Sequence, residues 1–190
     1  MMQELKDRIL KDGKVIGEDI LKVDSFLNHQ IDTDLVYKIA RYLGSNFSGV
    51  NKVLTIEASG IAYALAVANY FNNVPMVFAK KSKSKTVDMN TVYQTTIKSF
   101  TRGTESVVTV AKDYLTKDDK VLIIDDFLAE GNAALGLIDL CKQAGSSVVG
   151  VGIVIEKGFQ GGRERLEKMG IKVESAAIIT KFENGKPILK

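Results

Sequence analysis

The amino-acid sequence predicts an α/β domain in which helices flank a parallel sheet. Short apolar runs alternate with segments of helical periodicity, as in VLTI at 53–56 followed by an apolar helix at 61–70. The runs VLII at 121–124 and VVGVGIVI at 148–155 are apolar on both faces, which is typical of parallel strands covered by helices. The 190 residues, 45% of them hydrophobic, fit one domain with a substantial core.

Each element follows from a local pattern. In chain order, we predict helices at about 2–11, 32–47, 61–70 and 131–144, and strands at 53–56, 74–79, 121–124 and 148–155. Gly13 ends the first helix, and Leu35, Ile39 and Leu43 give the second helix an apolar face. Sheets of this kind bind ligands beyond the C-terminal ends of their strands, where the strand order reverses.

The segment from 80 to 105 does not fit a packed layer. AKKSKSKTVDMN is polar and basic, and TVYQTTIKSF is β-prone. Two interpretations are open. The segment is a solvated loop and hairpin, or it is a mobile lid over an anionic substrate, with Lys80, Lys81, Lys83 and Lys85 supplying charge.

Composition excludes several functional classes. A net charge of +3 is too small to indicate nucleic-acid binding and fits an enzyme with anionic substrates. Cys141 is the single cysteine and His29 the single histidine, so a disulfide within the chain and Cys-rich or two-histidine metal sites are excluded; Cys141 is expected to be a buried hydrophobe. No 18-residue apolar run and no signal-peptide core are present, which predicts a cytoplasmic protein that does not bind membranes.

The stretch VLIIDDFLAEGNAAL is the most informative part of the chain. A strand leads through Asp125 and Asp126 into a short loop, Ala129 to Ala133, that opens a helix. The free backbone N–H groups and partial positive charge of a helix N-terminus bind phosphate, and Gly131 permits close approach or a positive φ. Asn132 can donate a side-chain hydrogen bond or cap the helix. The loop predicts a site for one phosphate.

The two acids predict a polar partner at the end of the same strand. Asp125 and Asp126 are costly to bury alone, and sugar hydroxyls or a Mg²⁺ ion are suitable partners. An ordinary strand–turn–helix connection is the alternative. The stretch is neither a P-loop nor a dinucleotide fingerprint, because it lacks Gly-Lys-Ser/Thr and three spaced glycines. A second small-residue turn, EASG at 57–60, also follows a predicted strand, and we expect both turns at the same edge of the sheet.

With these residues the chain resembles the type I phosphoribosyltransferases, most closely the bacterial members that act on xanthine. The resemblance covers five collinear blocks: LKVDSFLNHQID, IEASGI with VFAKK, SFTRGTES, VLIIDDFLAEGNA and GIVIEKGFQGGRERL. The family loop usually carries Thr or Ser near Asn132 and Ala133, so Asn132 and backbone amides are expected to replace those hydroxyls. The resemblance implies one domain over residues 1–190, with a small hood over the base formed by about 1–31 and the C-terminal segment.

The resemblance also implies substrates and roles. The donor is 5-phosphoribosyl 1-diphosphate, bound with Mg²⁺, and the acceptor is xanthine. By resemblance, Ala129, Glu130, Gly131, Asn132 and Ala133 hold the 5′-phosphate. Glu57, Ala58, Ser59 and Lys81 contact the diphosphate, and the Glu57–Ala58 peptide is cis in many relatives. No direct protein metal site and a homodimer are also implied.

Leu21, Asn28 and Lys157 read the purine by the same resemblance. From the residues alone, Leu21 is equally well a core residue, Asn28 a cap of the helix that begins near Asp32, and Lys157 a surface lysine. Phe127 or Phe159 stacks on the base or belongs to the core. A lysine in the pocket favours the oxo groups of xanthine over the amino group of adenine.

The expected chemistry is displacement of diphosphate from ribose C1 by a purine nitrogen. Asp125 and Asp126 orient the ribose and place negative charge near a cationic transition state; Asp126 is the candidate base for the purine proton, and Asp125 is the alternative. Two alternatives stay open: a transferase for guanine, hypoxanthine, adenine or orotate, and a non-enzymatic purine regulator of the same fold.

Overall fold

A mixed central sheet organises the chain. The computed structural model describes residues 1–17, 19–82, 90–98 and 105–190. Eight strands of these ranges form the main sheet, in the order β10-β9-β8-β7-β3-β4-β6-β5. The five central strands from β9 to β4 are parallel, and β10, β6 and β5 pair antiparallel at the two sides. The predicted parallel sheet flanked by helices is therefore confirmed, with antiparallel edges added.

The elements have the following bounds. The α-helices are α1 (Gln3–Asp12), α2 (Thr33–Gly44), α3 (Ile61–Tyr70), α4 (Asn132–Ala144) and α5 (Gly162–Glu167). The strands are β1 (Lys14–Ile16), β2 (Ile20–Lys22), β3 (Lys52–Ile56), β4 (Met76–Ser82), β5 (Val92–Lys98), β6 (Glu105–Ala111), β7 (Lys120–Leu128), β8 (Ser147–Lys157), β9 (Val173–Glu183) and β10 (Lys186–Leu189). One π-helical turn covers Asp24–Asn28, and short 3-10 turns cover Lys112–Tyr114 and Gly158–Gln160.

Alternate residues of the central strands pack into two separate hydrophobic cores, one on each face of the sheet. On β7, Leu122 and Ile124 pack in the cluster that contains α1, α2 and α3, whereas Val121 and Ile123 pack in the cluster that contains α4. Strand side chains point alternately to opposite faces, so both sets are buried only when helices cover both faces. This arrangement explains why the central strands are apolar at consecutive positions. Cys141 is fully buried in the α4 cluster, as predicted.

Strand β7 is longer than the sequence predicts. It continues through Asp125 to Leu128, because β8 runs beside it and the pairing extends from Asp125↔Ile153 to Leu128↔Glu156. The two acids are thus held within the ladder and not in a loop after it. Strand pairing fixes their backbone, so their position depends on β8 as well as on β7.

The polar middle segment joins the sheet where it is described. Strands β5 and β6 form an antiparallel hairpin, and β6 also pairs with β4. The hairpin interpretation is therefore confirmed. The expectation that this segment stays outside the packed layers is wrong. Ile97 of β5 is buried over Gly136 of α4, where a Cβ would lie 2.5 Å from it. Gln143 of α4 also exchanges two hydrogen bonds with the backbone of Gln94. The proposed lid with Lys83 and Lys85, and most of the SFTRGTES block, lie outside the described residues.

Candidate active site

The strand order reverses between β3 and β7, and the candidate site lies at that point. From β3 the chain moves to β4 on one side, and β7 then pairs on the other side of β3. The loops that follow two adjacent parallel strands diverge there and leave a crevice. Glu57–Gly60 follows β3, and the predicted phosphate loop follows β7. The prediction that both turns share one edge of the sheet is confirmed.

A cleft of about 580 Å³ occupies this crevice. Most of the residues that the sequence singled out for substrate binding or catalysis line it; among the described ones, Ala58, Lys80 and Phe159 do not. The ones that line it are Leu21, Asn28, Glu57, Ser59, Lys81, Asp125, Asp126, Phe127, Ala129, Glu130, Gly131, Asn132, Ala133 and Lys157. Ile97, Lys98 and Ser106 of the β5–β6 hairpin also line it, although the sequence analysis assigned them no role.

The start of α4 forms a backbone cradle. Gly131 is the N-cap in the left-handed region at φ +85°, so the glycine is needed there for conformation. The first N–H groups of a helix have no partner within it. Those of Asn132, Ala133 and Ala134 therefore remain for a ligand, and all three residues line the cleft. The small side chains of Ala129 and Ala133 leave the approach open.

The Asn132 side chain was expected to cap α4 or to donate to a phosphate, but its contacts differ. It does not cap α4. Its Nδ2 donates to the Glu130 carboxylate at 3.2 Å and to the Lys98 carbonyl at 3.4 Å, and its Oδ1 accepts from Arg165 at 3.1 Å. Both ends of the amide are therefore engaged by protein, and the cradle itself depends on backbone N–H groups.

Asp125 and Asp126 form an asymmetric carboxylate pair. Asp125 is 6% exposed, and its Oδ1 accepts from the Asp126 N–H at 2.9 Å, while Asp126 is half-buried. Burial, and next the neighbouring Asp126, hold the pKa of Asp125 well above its usual range, with Lys81 opposing. A Cβ at Gly60 would lie 3.3 Å from Asp125 Oδ1 and would collide with the Thr55 hydroxyl. The glycine thus lets the turn after β3 approach the acid closely.

The turn after β3 is tied to β4. The Glu57–Ala58 peptide bond is cis, as the resemblance implies. The Glu57 N–H donates to the Ala79 carbonyl at 3.1 Å, and the Glu57 carboxylate accepts from the Lys81 backbone N–H at 2.6 Å. The Glu57 carboxylate is thereby held against the protein backbone. The exposed Lys81 side chain lies in the same cleft as the two aspartates.

Lys157 lies at the end of β8 and lines the same cleft as the cradle residues. It is 7% exposed, and its ammonium donates to the Asp19 carbonyl of the β1–β2 hairpin at 2.7 Å. Burial lowers its pKa, and Asp19 opposes this shift. The surface-lysine alternative is wrong, because β8 extends under the hairpin and carries Lys157 into the interior.

The segment after β2 also contributes to the cleft. Asn28 ends the π-helical turn Asp24–Asn28 and lines the cleft. It does not cap α2, because Asp32 does so by accepting from the Leu35 N–H at 3.2 Å. The buried Tyr63 hydroxyl donates to the carbonyl of Leu27 at 2.9 Å and connects α3 to this turn. Burial, and next Asp126, raise the pKa of Tyr63.

Three apolar residues were assigned alternative roles by the sequence. Leu21 is both a core residue, at 6% exposure, and a lining residue of the cleft. Phe127 lines the cleft as well. Phe159 does not: its ring packs edge-to-face on Phe182 at 5.8 Å between centroids. The geometry favours Phe127 over Phe159 as the aromatic neighbour of a base.

The segment after β8 contains residues that sequence reasoning missed. Arg163 donates to the buried carboxylate of Glu156 through Nε and Nη2 and to the Val173 carbonyl at 2.8 Å. Arg165 donates to the Glu130 carbonyl at 2.7 Å. The available signal was the pattern GGRERL, in which two arginines follow a Gly pair close to a predicted site.

Two kinds of feature are absent from the part of the chain that the structure describes. Within the described ranges, no group of three or more His, Cys, Asp or Glu side chains is arranged to hold a metal ion by itself. In the same ranges, none of the helices is both long enough and apolar enough to cross a bilayer.

Known proteins match this chain in sequence over nearly its full length. Residues 22–186 match the family model described as phosphoribosyl transferase domain. The xanthine phosphoribosyltransferase of Clostridium novyi is 55% identical over all of both chains, and that of Clostridioides difficile is 53% identical over 97% of both chains. That of Streptococcus uberis is 54% identical over 97% of this chain and 96% of its own.

Solved structures show the same fold at low identity. The adenine phosphoribosyltransferase of Giardia lamblia, complexed with 9-deazaadenine, has a TM-score of 0.75 and 24% identity over 94% of this chain and 97% of that one. The enzyme of Trypanosoma brucei with AMP, pyrophosphate and ribose-5-phosphate has a TM-score of 0.74 and 17% identity over 92% of this chain and 78% of that one. The family model and the full-length relatives agree with the geometry of the cleft, and the chain belongs to the phosphoribosyl transferase family.

Proposed function

We propose that this chain is a pentosyltransferase of purine salvage that transfers 5-phosphoribose from 5-phosphoribosyl 1-diphosphate to xanthine. The products are xanthosine 5′-monophosphate and diphosphate. One observation carries the proposal: a single cleft is lined by a helix-start cradle, a carboxylate pair of which Asp125 is buried, and a buried lysine. The full-length relatives named xanthine phosphoribosyltransferase support the same activity.

The donor fits the side of the cleft formed by β3, β4 and β7. The cradle at Ala129–Ala133 suits a phosphate monoester, because it offers several N–H groups and the positive end of α4. We assign the diphosphate to Glu57, Ala58, Ser59 and Lys81, where backbone groups of a turn lie beside one ammonium group. Asp125 and Asp126, which line the same cleft, are assigned to the ribose hydroxyls.

The residues present fit a magnesium ion that arrives with the donor. Mg²⁺ is usually held by one or two carboxylates together with substrate phosphates. Asp125 and Asp126 supply such oxygens, and no metal-holding cluster exists within the described ranges that would compete for the ion. When bound, the ion would neutralise charge on the leaving diphosphate. Lys81 adds positive charge on the same side.

The base fits between Leu21, Asn28, Phe127 and Lys157. The Lys157 ammonium has three donors, and the Asp19 carbonyl engages one of them. The remaining donors suit the oxo groups of xanthine and have no acceptor in the amino group of adenine. A pocket built around buried donors discriminates strongly, because the wrong base leaves them unpaired. We infer that residues 1–31 and the C-terminal segment form a hood over this base.

The proposed chemistry uses the groups that line this one cleft. A purine ring nitrogen attacks ribose C1, the bond from C1 to the diphosphate oxygen breaks, and the diphosphate leaves with that electron pair. The carboxylates of Asp125 and Asp126 stabilise positive charge that develops on the ribose. Asp126 is the better placed to accept the purine proton, because it is less buried than Asp125.

A spectrophotometric substrate panel tests the proposal. The protein, Mg²⁺ and the ribose donor are combined with xanthine, guanine, hypoxanthine or adenine in separate reactions. We expect the highest kcat/KM for xanthine. Preferred use of another purine would leave the reaction class intact and reassign the base. No turnover of any purine, with retained binding of the donor, would favour a regulator of the same fold. Homodimerisation, cytoplasmic location and absence of nucleic-acid binding stay predictions, to be checked by light scattering, fractionation and gel shift.

A further inference from the structure

The segment Gly161 to Arg165 lies directly against the phosphate cradle. The Gly162 N–H donates to the Ala129 carbonyl at 3.1 Å. A Cβ at Gly162 would collide with that carbonyl oxygen and lie 2.9 Å from the Gly131 nitrogen. These neighbours are backbone atoms, which cannot rotate away as a side chain can. The close approach therefore requires glycine at this position.

Arg165 makes the two side-chain contacts from this segment to the cradle. Its Nη1 donates to the Glu130 carbonyl at 2.7 Å and to Asn132 Oδ1 at 3.1 Å. The second bond fixes which way the Asn132 amide points, since Nδ2 of that amide is then directed to Glu130 and Lys98. One guanidinium thus orders both the backbone and the first side chain of α4.

The Glu130 carbonyl belongs to the same peptide group as the Gly131 N–H. A charged donor on that carbonyl polarises the peptide, and a polarised N–H is a stronger donor. Gly131 lines the cleft. Arg165 is not among the described residues that line it, so it acts on an anion in the cradle through Gly131 and Asn132 and not by contact.

The helix that carries Arg165 is itself held in place. Arg163, two residues earlier on α5, is held by the buried Glu156 carboxylate, which also accepts from the Ser175 hydroxyl. Glu156 is 2% exposed, and it lies on β8 next to Lys157. Helix α5 is therefore anchored to β8 and β9, and Arg165 extends from this anchored helix over the cradle.

We propose that Arg165 is a positioning residue for the 5′-phosphate cradle, acting through the Glu130 peptide and the Asn132 amide. The inference rests on the proposed function, because it takes the anion in the cradle to be the terminal phosphate of the ribose donor. Arg165 is exposed and contributes nothing to either core, so its removal leaves the fold intact while the cradle loses its order.

Arg165→Met keeps most of the side-chain length and removes the donors. Lys168→Met is the matched control, because it removes the same charge from an exposed residue at the end of α5. Binding of ribose 5-phosphate is measured by calorimetry, alongside KM for the ribose donor and for xanthine. We expect Arg165→Met to weaken ribose 5-phosphate and raise the donor KM about tenfold, the size of one charge-assisted hydrogen bond. The xanthine KM and the control variant should change less than about twofold, and Arg165→Lys should be intermediate.

The outcomes separate the two proposals. Equal ribose 5-phosphate binding by wild type and Arg165→Met overturns the inference and leaves the proposed function intact. Equal weakening in Arg165→Met and Lys168→Met indicates long-range charge alone and also overturns it. A melting temperature lowered by more than about 5 °C would show a structural role instead. A wild-type protein that binds neither ribose 5-phosphate nor the ribose donor removes both proposals.

Discussion

Replacing Lys157 with methionine tests how the cleft recognises a base. Lys157 is 7% exposed, and its ammonium already donates to the Asp19 carbonyl at 2.7 Å. Methionine retains most of the buried stem and removes the charge and the donors. The substitution should therefore affect recognition of the base and leave the packing around β8 nearly unchanged.

The magnitude follows from the contact that is lost. A hydrogen bond from a charged donor to a neutral acceptor contributes roughly 1.5–3 kcal/mol. Since about 1.4 kcal/mol is a factor of ten, xanthine kcat/KM should fall by roughly 10- to 150-fold. The bond to Asp19 is lost as well, but burying an ammonium is itself unfavourable, and burial lowers the pKa of Lys157. The free energy of unfolding should change by less than about 1 kcal/mol.

The assay separates base from donor. Initial rates are measured at varied xanthine and at varied donor, and donor binding is measured independently by calorimetry. Lys181→Met is the control, because Lys181 is an exposed lysine on β9 whose ion pair with Glu183 lies at the surface. It should leave all constants within about twofold. An equal loss of xanthine use and donor binding in Lys157→Met would refute the assignment of Lys157 to the base.

Two further predictions concern the acids and the hood. Asp125→Asn combined with Asp126→Asn should abolish measurable turnover. The melting temperature should not fall, because burial already raises the pKa of Asp125 and neutral amides remove the repulsion between the two carboxylates. Unchanged turnover would exclude a catalytic role for the pair. Tyr63→Phe leaves the Leu27 carbonyl without its 2.9 Å donor, so denaturant unfolding should show a loss of about 1–3 kcal/mol, and the xanthine KM should rise more than the donor KM. Stability equal to wild type would show that water replaces the hydroxyl.

Local patterns were sufficient for much of the site. The cradle needs only a buried strand, a short loop with one glycine and a helix start, and all three are contiguous in the chain. The shared edge of the two turns followed from the rule that parallel strands place their C-terminal ends together. Helix α3 was predicted with the observed bounds, Ile61–Tyr70. These features depend on residues close in sequence, where periodicity and capping chemistry act.

The remaining features depend on contacts between distant segments. Strand β7 extends through Asp125 because β8 pairs with it, and the β5–β6 hairpin is packed because Ile97 meets Gly136 of α4. No local pattern indicates which partner a polar side chain will take. The amide of Asn132 therefore looked available for a phosphate, whereas the folded chain engages it with Arg165, Glu130 and Lys98.

By itself, then, the sequence determined the class of sheet, the cradle and the acids beside it, because hydrophobic periodicity and turn propensity depend on residues that are close together in the chain. Only the tertiary structure decided that Lys157 is buried against Asp19 and that Arg165 reaches the cradle, across 138 and 35 residues of chain respectively. Such long-range contacts form only when the whole core packs, because closing the intervening loop costs entropy that local interactions alone do not offset.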